Sequence, residues 1–257
     1  MSLAEISVTH LGKHRHSAHY VSAILDGQNI LHRFNPLIRF EEFVYTGPVF
    51  QPSPHAGLLR ITLLLSGSQG KMSVHAGSAV CSLSAGELLC VNAGTGIIYE
   101  ESITPDTGKI HGISVLLNTT ETLKEQPCHI TKLIPCSDEH INLIGTETNF
   151  GRFTLQLITL SEKYLVNLTS GDNIYVYAVE GTIQIISEGA TTLQTSDLFF
   201  ARTMKSKLIE IIPESEATIM VLTALPLPGI PVLLGEMVMT SLPAMNSLLE
   251  RYRSGML

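Results

Sequence analysis

Two short segments carry the side chains best spaced for chemistry: Phe50-Gln51-Pro52-Ser53-Pro54-His55-Ala56-Gly57, and Ala93-Gly94-Thr95-Gly96-Ile97-Ile98-Tyr99-Glu100-Glu101. In extended backbone, residues two apart point to one face, so Ser53 lies with His55, and Tyr99 with Glu101. Two such strands together direct a hydroxyl, an imidazole, a phenol and a carboxylate into one pocket. As hydrogen-bonding groups, the imidazole and carboxylate satisfy each other without a metal. As metal ligands, His55 and Glu101 are the strong donors. Tyr99 becomes a third only as a phenolate, against a reference pKa of about 10, and a neutral Ser53 hydroxyl is a poor donor to divalent first-row metals.

Other chemistry is thinner. The chain has ten His, but from Ile141 to Leu257 it has neither His nor Cys. A metal site there would need oxygen ligands alone, and Glu180, Asp197, Glu210 and Glu214 form no tight acidic motif. His14 and His16 share a face if extended, yet with His10 and His19 they read as a solvated polar N-terminus. His32, His75, His111, His129 and His140 read as single exposed or satisfied histidines. Gly94-Thr95-Gly96 is too short for a phosphate loop and enters a strand instead of a helix. There is no G-x-S-x-G elbow. Cys81, Cys90, Cys128 and Cys136 are too widely spaced for a zinc ribbon and read as reduced, packed thiols.

The elements that must hold the pocket are strands. Leu58 to Leu65, Ser78 to Leu83, Leu88 to Asn92 and Ile110 to Leu117 are apolar or β-branched runs punctuated by Gly, Ser, Asn and Pro. The same texture returns at Phe153 to Leu160, Ile174 to Val179, Thr182 to Ile186, Leu198 to Ala201, Leu208 to Ile212 and Ala217 to Leu222. Between the sets, Asn118 to Thr148 reads as a linker. A weak internal repeat relates them: Leu63-Leu64-Leu65-Ser66-Gly67 followed by Leu83-Ser84-Ala85-Gly86-Glu87-Leu88, and Tyr177-Ala178-Val179-Glu180-Gly181 followed by Leu193-Gln194-Thr195-Ser196-Asp197-Leu198. Ala217 to Gly235 is the longest uncharged apolar stretch, but Pro226, Pro228 and Pro231 make it an extended crossover instead of a membrane span. One helix is predicted at the C-terminus. Thr240 or Ser241 caps it, Met245, Leu248, Leu249 and Tyr252 form a docking stripe, and Gly255 ends it.

Charged residues are 15% of the 257, against about 25% in a typical soluble domain, and apolar residues are 44%. Such a chain folds around a core. A formal net charge of −7 without a basic run argues against a phosphate-tracking nucleic-acid surface. The N-terminus lacks a signal-peptide h-region, and the expected location is cytoplasmic.

Four stretches, in order, resemble the pirin family, bicupins that include quercetin 2,3-dioxygenases. Asn35-Pro36-Leu37-Ile38-Arg39-Phe40-Glu41-Glu42-Phe43 is similar to D-P-F-L-x-L-D-E-F. Phe50 to Thr62 is similar to F-x-x-H-P-H-R-G-F-E-T-V-T, and Gly86 to Glu101 to G-D-x-x-x-x-x-A-G-x-G-I-x-H-x-E. Gly235-Glu236-Met237-Val238-Met239, then Tyr252-Arg253-Ser254-Gly255, resemble the G-P-F-V-M-N and D-Y-R-x-G close. The resemblance implies a metal, typically iron, held in the N-terminal cupin by three His and one Glu. Here those positions are Ser53, His55, Tyr99 and Glu101, so only His55 and Glu101 match. The neighbouring R-G-F-E-T becomes Ala56-Gly57-Leu58-Leu59-Arg60, with Arg in the place of Thr.

The expectation is therefore an all-β bicupin of two β-barrel (cupin, jelly-roll) domains, 1–130 and 131–257, the second including the crossover and a C-terminal helix that packs back on the β body. The pocket of Ser53, His55, Tyr99 and Glu101 is expected without the family's metal or another cofactor. It would serve a small-molecule- or partner-binding, regulatory module, with no nucleic acid or membrane as partner. The alternative is a metal-dependent dioxygenase of quercetin-like flavonols, with iron or another divalent transition metal on His55 and Glu101 and Tyr99 as third ligand. Placing His at both 53 and 99 is expected to create metal binding.

Overall fold

The structure is a computed structural model that describes residues 3–26, 28–47, 51–103, 108–134, 140–145 and 152–257. It divides into two compact units. The first comprises Lys13–Ile134 with Leu227–Leu257, and the second Met1–Gly12 with Pro135–Pro226.

The first unit pairs a seven-stranded sheet with a six-stranded one. The larger runs, edge to edge, His129–Leu133, Leu88–Asn92, Leu58–Leu64, Ile110–Asn118, Leu37–Tyr45, Tyr20–Leu25 and His14–Ser17. The smaller runs Val232–Leu234, Glu236–Met239, Ser53–Ala56, Ile97–Ile103, Met72–Ala76 and Ala79–Leu83. Phe43, Tyr45, Leu58 and Leu64 from the first face Met72, Val74, Leu83 and Ile97 from the second in one buried core. The second unit repeats the plan with sheets of six and four strands. Asp197–Thr203, Asn173–Glu180, Ala217–Ala224 and Phe153–Leu160 stand in the order that Leu88–Asn92, Leu58–Leu64, Ile110–Asn118 and Leu37–Tyr45 follow in the first unit. In the smaller sheets, Tyr164–Leu168, Lys207–Pro213, Ile183–Ile186 and Ala190–Leu193 match Ser53–Ala56, Ile97–Ile103, Met72–Ala76 and Ala79–Leu83. The faint sequence repeat is thus a duplicated jelly roll. Each unit is two facing sheets with open edges, the jelly-roll solution, and not a closed barrel.

A single cut between 130 and 131 does not describe these units, because the chain ends are exchanged. Leu3–His10 pairs along Asp197–Thr203 in the second unit, and Glu236–Met239 pairs in parallel with Ser53–Ala56 in the first. A sheet edge offers unpaired N–H and C=O groups, and a terminal strand satisfies them whichever half of the sequence it comes from. The stretch read as a linker is structured too. It contains the short helix Glu121–Lys124, the strand His129–Leu133, which extends the larger sheet, and the strand His140–Ile144; Cys136 lies outside the described residues. His14 and His16 fall in an exposed edge strand.

The C-terminal helix, Leu242–Arg253, is capped by the Ser241 hydroxyl, which accepts from the Ala244 N–H. Met245 and Leu248 bury against Ala56 and Met237, with Leu249 partly covered, whereas Tyr252 is exposed and takes no part in the docking face. A third helix, Gln28–Phe34, precedes Leu37–Tyr45 and carries no sequence signal strong enough to announce it. Among the described residues no helix is long and apolar enough to cross a membrane.

Candidate functional site

All four side chains singled out from the sequence line one cavity of about 60 Å³ in the first unit, together with Arg39, Glu41, Arg60 and Glu236. The strand pairing explains this. Ser53–Ala56 runs antiparallel to Ile97–Ile103, with Tyr99 opposite Ser53 and Ile97 opposite His55. The alternation of strand side chains then carries Glu101 into the interior beside Tyr99, both fully covered. Glu236–Met239 supports the other edge of Ser53–Ala56, with Glu236 level with His55.

Gly57 permits that close support. Its φ is +65°, and a Cβ there would sit 1.9 Å from the Val238 carbonyl oxygen. Lys124 ties the same junction. Its buried ammonium donates to the Gly57 carbonyl, to Asn118 Oδ1 at 2.7 Å and to the Val238 carbonyl at 3.0 Å. Burial pushes its pKa down to about 7, while three oxygen acceptors oppose that fall by favouring the charged form.

At the centre stands Arg60, reaching from Leu58–Leu64 of the larger sheet to Glu101 of the smaller. Its Nε and Nη2 both donate to Glu101 Oε1, at 3.2 and 2.9 Å, and the Tyr99 hydroxyl donates to the same oxygen at 2.7 Å. The guanidinium also lies over the Tyr99 ring, 4.8 Å from its centroid, and His55 packs on the same ring at 4.6 Å. The pair is deeply buried: Arg60 is 6% exposed and Glu101 2%. Glu101 holds the Arg60 pKa well above its ordinary value in spite of burial. Burial, then the Glu101 charge, raises the Tyr99 pKa far above 10, so Tyr99 is a phenol and not a phenolate.

Burial, followed by the Arg60 charge, lowers the His55 pKa to about 3, so its imidazole is neutral at ordinary pH. Its Nδ1 contacts the Ser53 carbonyl at 3.3 Å, which assigns the proton to Nδ1 and leaves Nε2 as an acceptor. His55 Nε2 and Glu101 Oε2 are buried without a hydrogen-bond partner. The imidazole and carboxylate therefore do not satisfy each other. Arg60 takes the carboxylate instead.

Arg39 and Glu236 stand at the mouth, Nη1 to Oε1 at 2.6 Å. Arg39 also faces Glu41 at 3.6 Å, and Glu41 accepts from the Tyr20 hydroxyl. Arg39, Glu41, Arg60 and Glu236 were all within view in the sequence. Arg60 carried the plainest signal: one charge in the run Leu58-Leu59-Arg60-Ile61-Thr62-Leu63-Leu64, every residue of which is buried. A cation in such a strand needs a buried anion.

The donors do not fit the three-His, one-Glu set that the family resemblance implies. One imidazole nitrogen and one carboxylate oxygen remain unengaged, the phenol is protonated, and a guanidinium already holds the carboxylate. Among the described residues, no three of His, Cys, Asp and Glu are grouped to hold a metal ion. The second unit fills its interior with Val166, Ile174, Val176, Ile209 and Ile211. A cleft of about 390 Å³ in this unit is lined by Asn142, Gln156, Tyr164, Asn167 and neighbouring residues.

No protein-family model matches this chain, and no curated protein matches it in sequence. Its fold is nonetheless shared by known structures. A quercetin 2,3-dioxygenase from Acinetobacter baumannii superposes with a TM-score of 0.82 and 16% identity, over 99% of this chain and 98% of that one. YhhW from Escherichia coli, a bacterial pirin in complex with nickel(II), gives 0.72 and 16%, over 87% of this chain and all of that one (100%). GK1651 from Geobacillus kaustophilus gives 0.72 and 13%, over 86% and 95%. Taken with the duplicated sheet order, these superpositions give the chain the bicupin fold of pirin and quercetin 2,3-dioxygenase structures.

Proposed function

We propose that this chain is a pirin-like bicupin whose pocket works without the family's metal, as a small-molecule- or partner-binding, regulatory module. The observation that carries the reading is the Arg60 fork on Glu101. Arg60 supplies a fixed positive charge where the family resemblance puts an ion, and it neutralises the one acidic ligand. The same contact disfavours the dioxygenase reading, in which His55 and Glu101 orient substrate and dioxygen on a metal. What supports binding is a cavity with unsatisfied acceptors at His55 Nε2 and Glu101 Oε2.

Metal content and oxygen consumption test the proposal. Protein purified without chelators should carry far less than one equivalent of iron, nickel, copper, manganese or zinc, and should consume no dioxygen with quercetin. Stoichiometric metal that is lost in His55→Ala would overturn the reading. So would quercetin-dependent oxygen uptake by the wild-type chain.

A further inference from the structure

One ion pair, Arg39 with Glu236, lines the inner cavity on the side of the chain's C-terminal hairpin. A second cleft of about 370 Å³ lies outside it, lined by Asp26, Ile38, Leu233, Leu234 and Gly235, and the two spaces have only Arg39 and Glu236 in common. Glu236 follows Gly235, whose φ is +57°, at the turn of a short hairpin, and its strand is registered with Ser53–Ala56 at two positions only. Glu236 is thus the first residue of this strap, beside its turn and between a polar chamber and a partly apolar cleft, while the Lys124 bond to the Val238 carbonyl anchors the strap beyond it.

The charges around the chamber name what could replace it. Arg39 and Arg60 face Glu41, Glu101 and Glu236. When Glu236 turns outward, two guanidiniums are left against two carboxylates, and Arg39 loses its 2.6 Å partner. Arg39 Nε is already buried and unpartnered. A guest carboxylate would take the Nη1 donor that Glu236 releases, and it would restore the charge count. Deeper in, the two unpartnered atoms, His55 Nε2 and Glu101 Oε2, are both acceptors, so the inward end of the guest must donate.

We infer that the Arg39–Glu236 pair is a gate, and that the pocket takes a hydroxylated carboxylic acid: carboxylate on Arg39 in place of Glu236, hydroxyl on His55 and Glu101, apolar body between the two. The inference rests on the metal-free reading above, since a metal on His55 and Glu101 would use the same two acceptor atoms. Glu236 is an internal competitor for the ligand's site. Its removal strengthens binding, whereas loss of an ordinary binding residue weakens it.

The test is calorimetric titration of the whole chain with 4-hydroxybenzoate, benzoate and 4-hydroxybenzamide, on wild type, Glu236→Gln and Arg39→Gln, with circular dichroism and melting temperature confirming that each variant is folded. Glu236→Gln should tighten 4-hydroxybenzoate about tenfold, and Arg39→Gln should weaken it by at least about tenfold. Benzoate should bind more weakly for want of the hydroxyl, and the uncharged amide should not respond to Glu236→Gln. If Arg39→Gln does not fold, Arg39→Lys, which keeps the charge and loses the Nη1 donor, should still weaken binding. Failure of 4-hydroxybenzoate to bind wild type and Glu236→Gln would overturn the gate, as would weakening by Glu236→Gln or equal tightening of the amide. None of these results bears on metal content, so the metal-free reading stands or falls separately.

Discussion

Replacing Arg60 with methionine removes the charge while keeping much of the side-chain volume, and the structure sets the size of the effect. Glu101 Oε1 accepts three hydrogen bonds, two of them from Arg60, and Oε2 accepts none. The variant leaves a carboxylate that is 2% exposed with the Tyr99 hydroxyl as its one remaining donor. Removing one member of a buried pair costs about 3–5 kcal/mol, since the survivor keeps its desolvation penalty without its partner. Loss of the guanidinium from the Tyr99 face adds about 1 kcal/mol. Glu101→Leu should be similarly harmful, because Arg60 is then stranded. Replacing both together should be close to neutral. Urea unfolding of wild type, both single variants and the double variant closes the cycle, with an expected coupling of about 3 kcal/mol or more. A coupling under about 1 kcal/mol, the range of an exposed ion pair, would refute the claim that Arg60 is the internal counter-charge of Glu101.

The same contact changes what is needed to build a metal site. With Arg60 in place, Ser53→His with Tyr99→His should not hold nickel in equilibrium dialysis, and adding Arg60→Thr should allow it; binding by the double variant alone would show that Arg60 is no obstacle. His55 gives a pH signature. Its native pKa of about 3 lies below the ordinary 6.5, so as pH falls below 6.5 the unfolded chain takes up a proton that the folded chain refuses. The stability is complete above that value and lost between 6.5 and 3, amounting to about 2 kcal/mol between pH 6.5 and 5. Urea midpoints for wild type should fall more steeply over that window than those of His55→Gln, and parallel curves would contradict a buried neutral imidazole. Gly57→Ala should destabilise the first unit by well over about 1 kcal/mol through its positive φ and the clash with Val238. It should also expose the C-terminal strap to limited proteolysis, as Lys124→Met should by removing the ammonium that bonds Val238; wild-type resistance in both would sever this link.

Much of the scaffold is legible in local pattern. Apolar runs such as Leu88–Asn92 and Phe153–Leu160 have the expected limits because turn residues bound them on both sides. Polar or irregular strands escaped notice. His14–Ser17 is exposed along its whole length, and Glu236–Met239 sits among prolines and glycine, so neither displays alternation. They are strands because a sheet edge recruits them, and that is a property of the partner.

The residues themselves determined that Ser53 with His55, and Tyr99 with Glu101, would share faces, since a strand alternates whatever it packs against. They also showed a family ligand set reduced to two strong donors, and a charge at position 60 inside an apolar run. What that charge does was decided only in three dimensions. Arg60 and Glu101 belong to different sheets, 41 positions apart in sequence, and meet because the two sheets face each other around one core. Glu236 reaches the mouth because the chain end returns to the first unit's edge. Strand periodicity is local and can be read along the chain, whereas the pairing of buried charges depends on which sheets close over one another, which is a property of the whole fold.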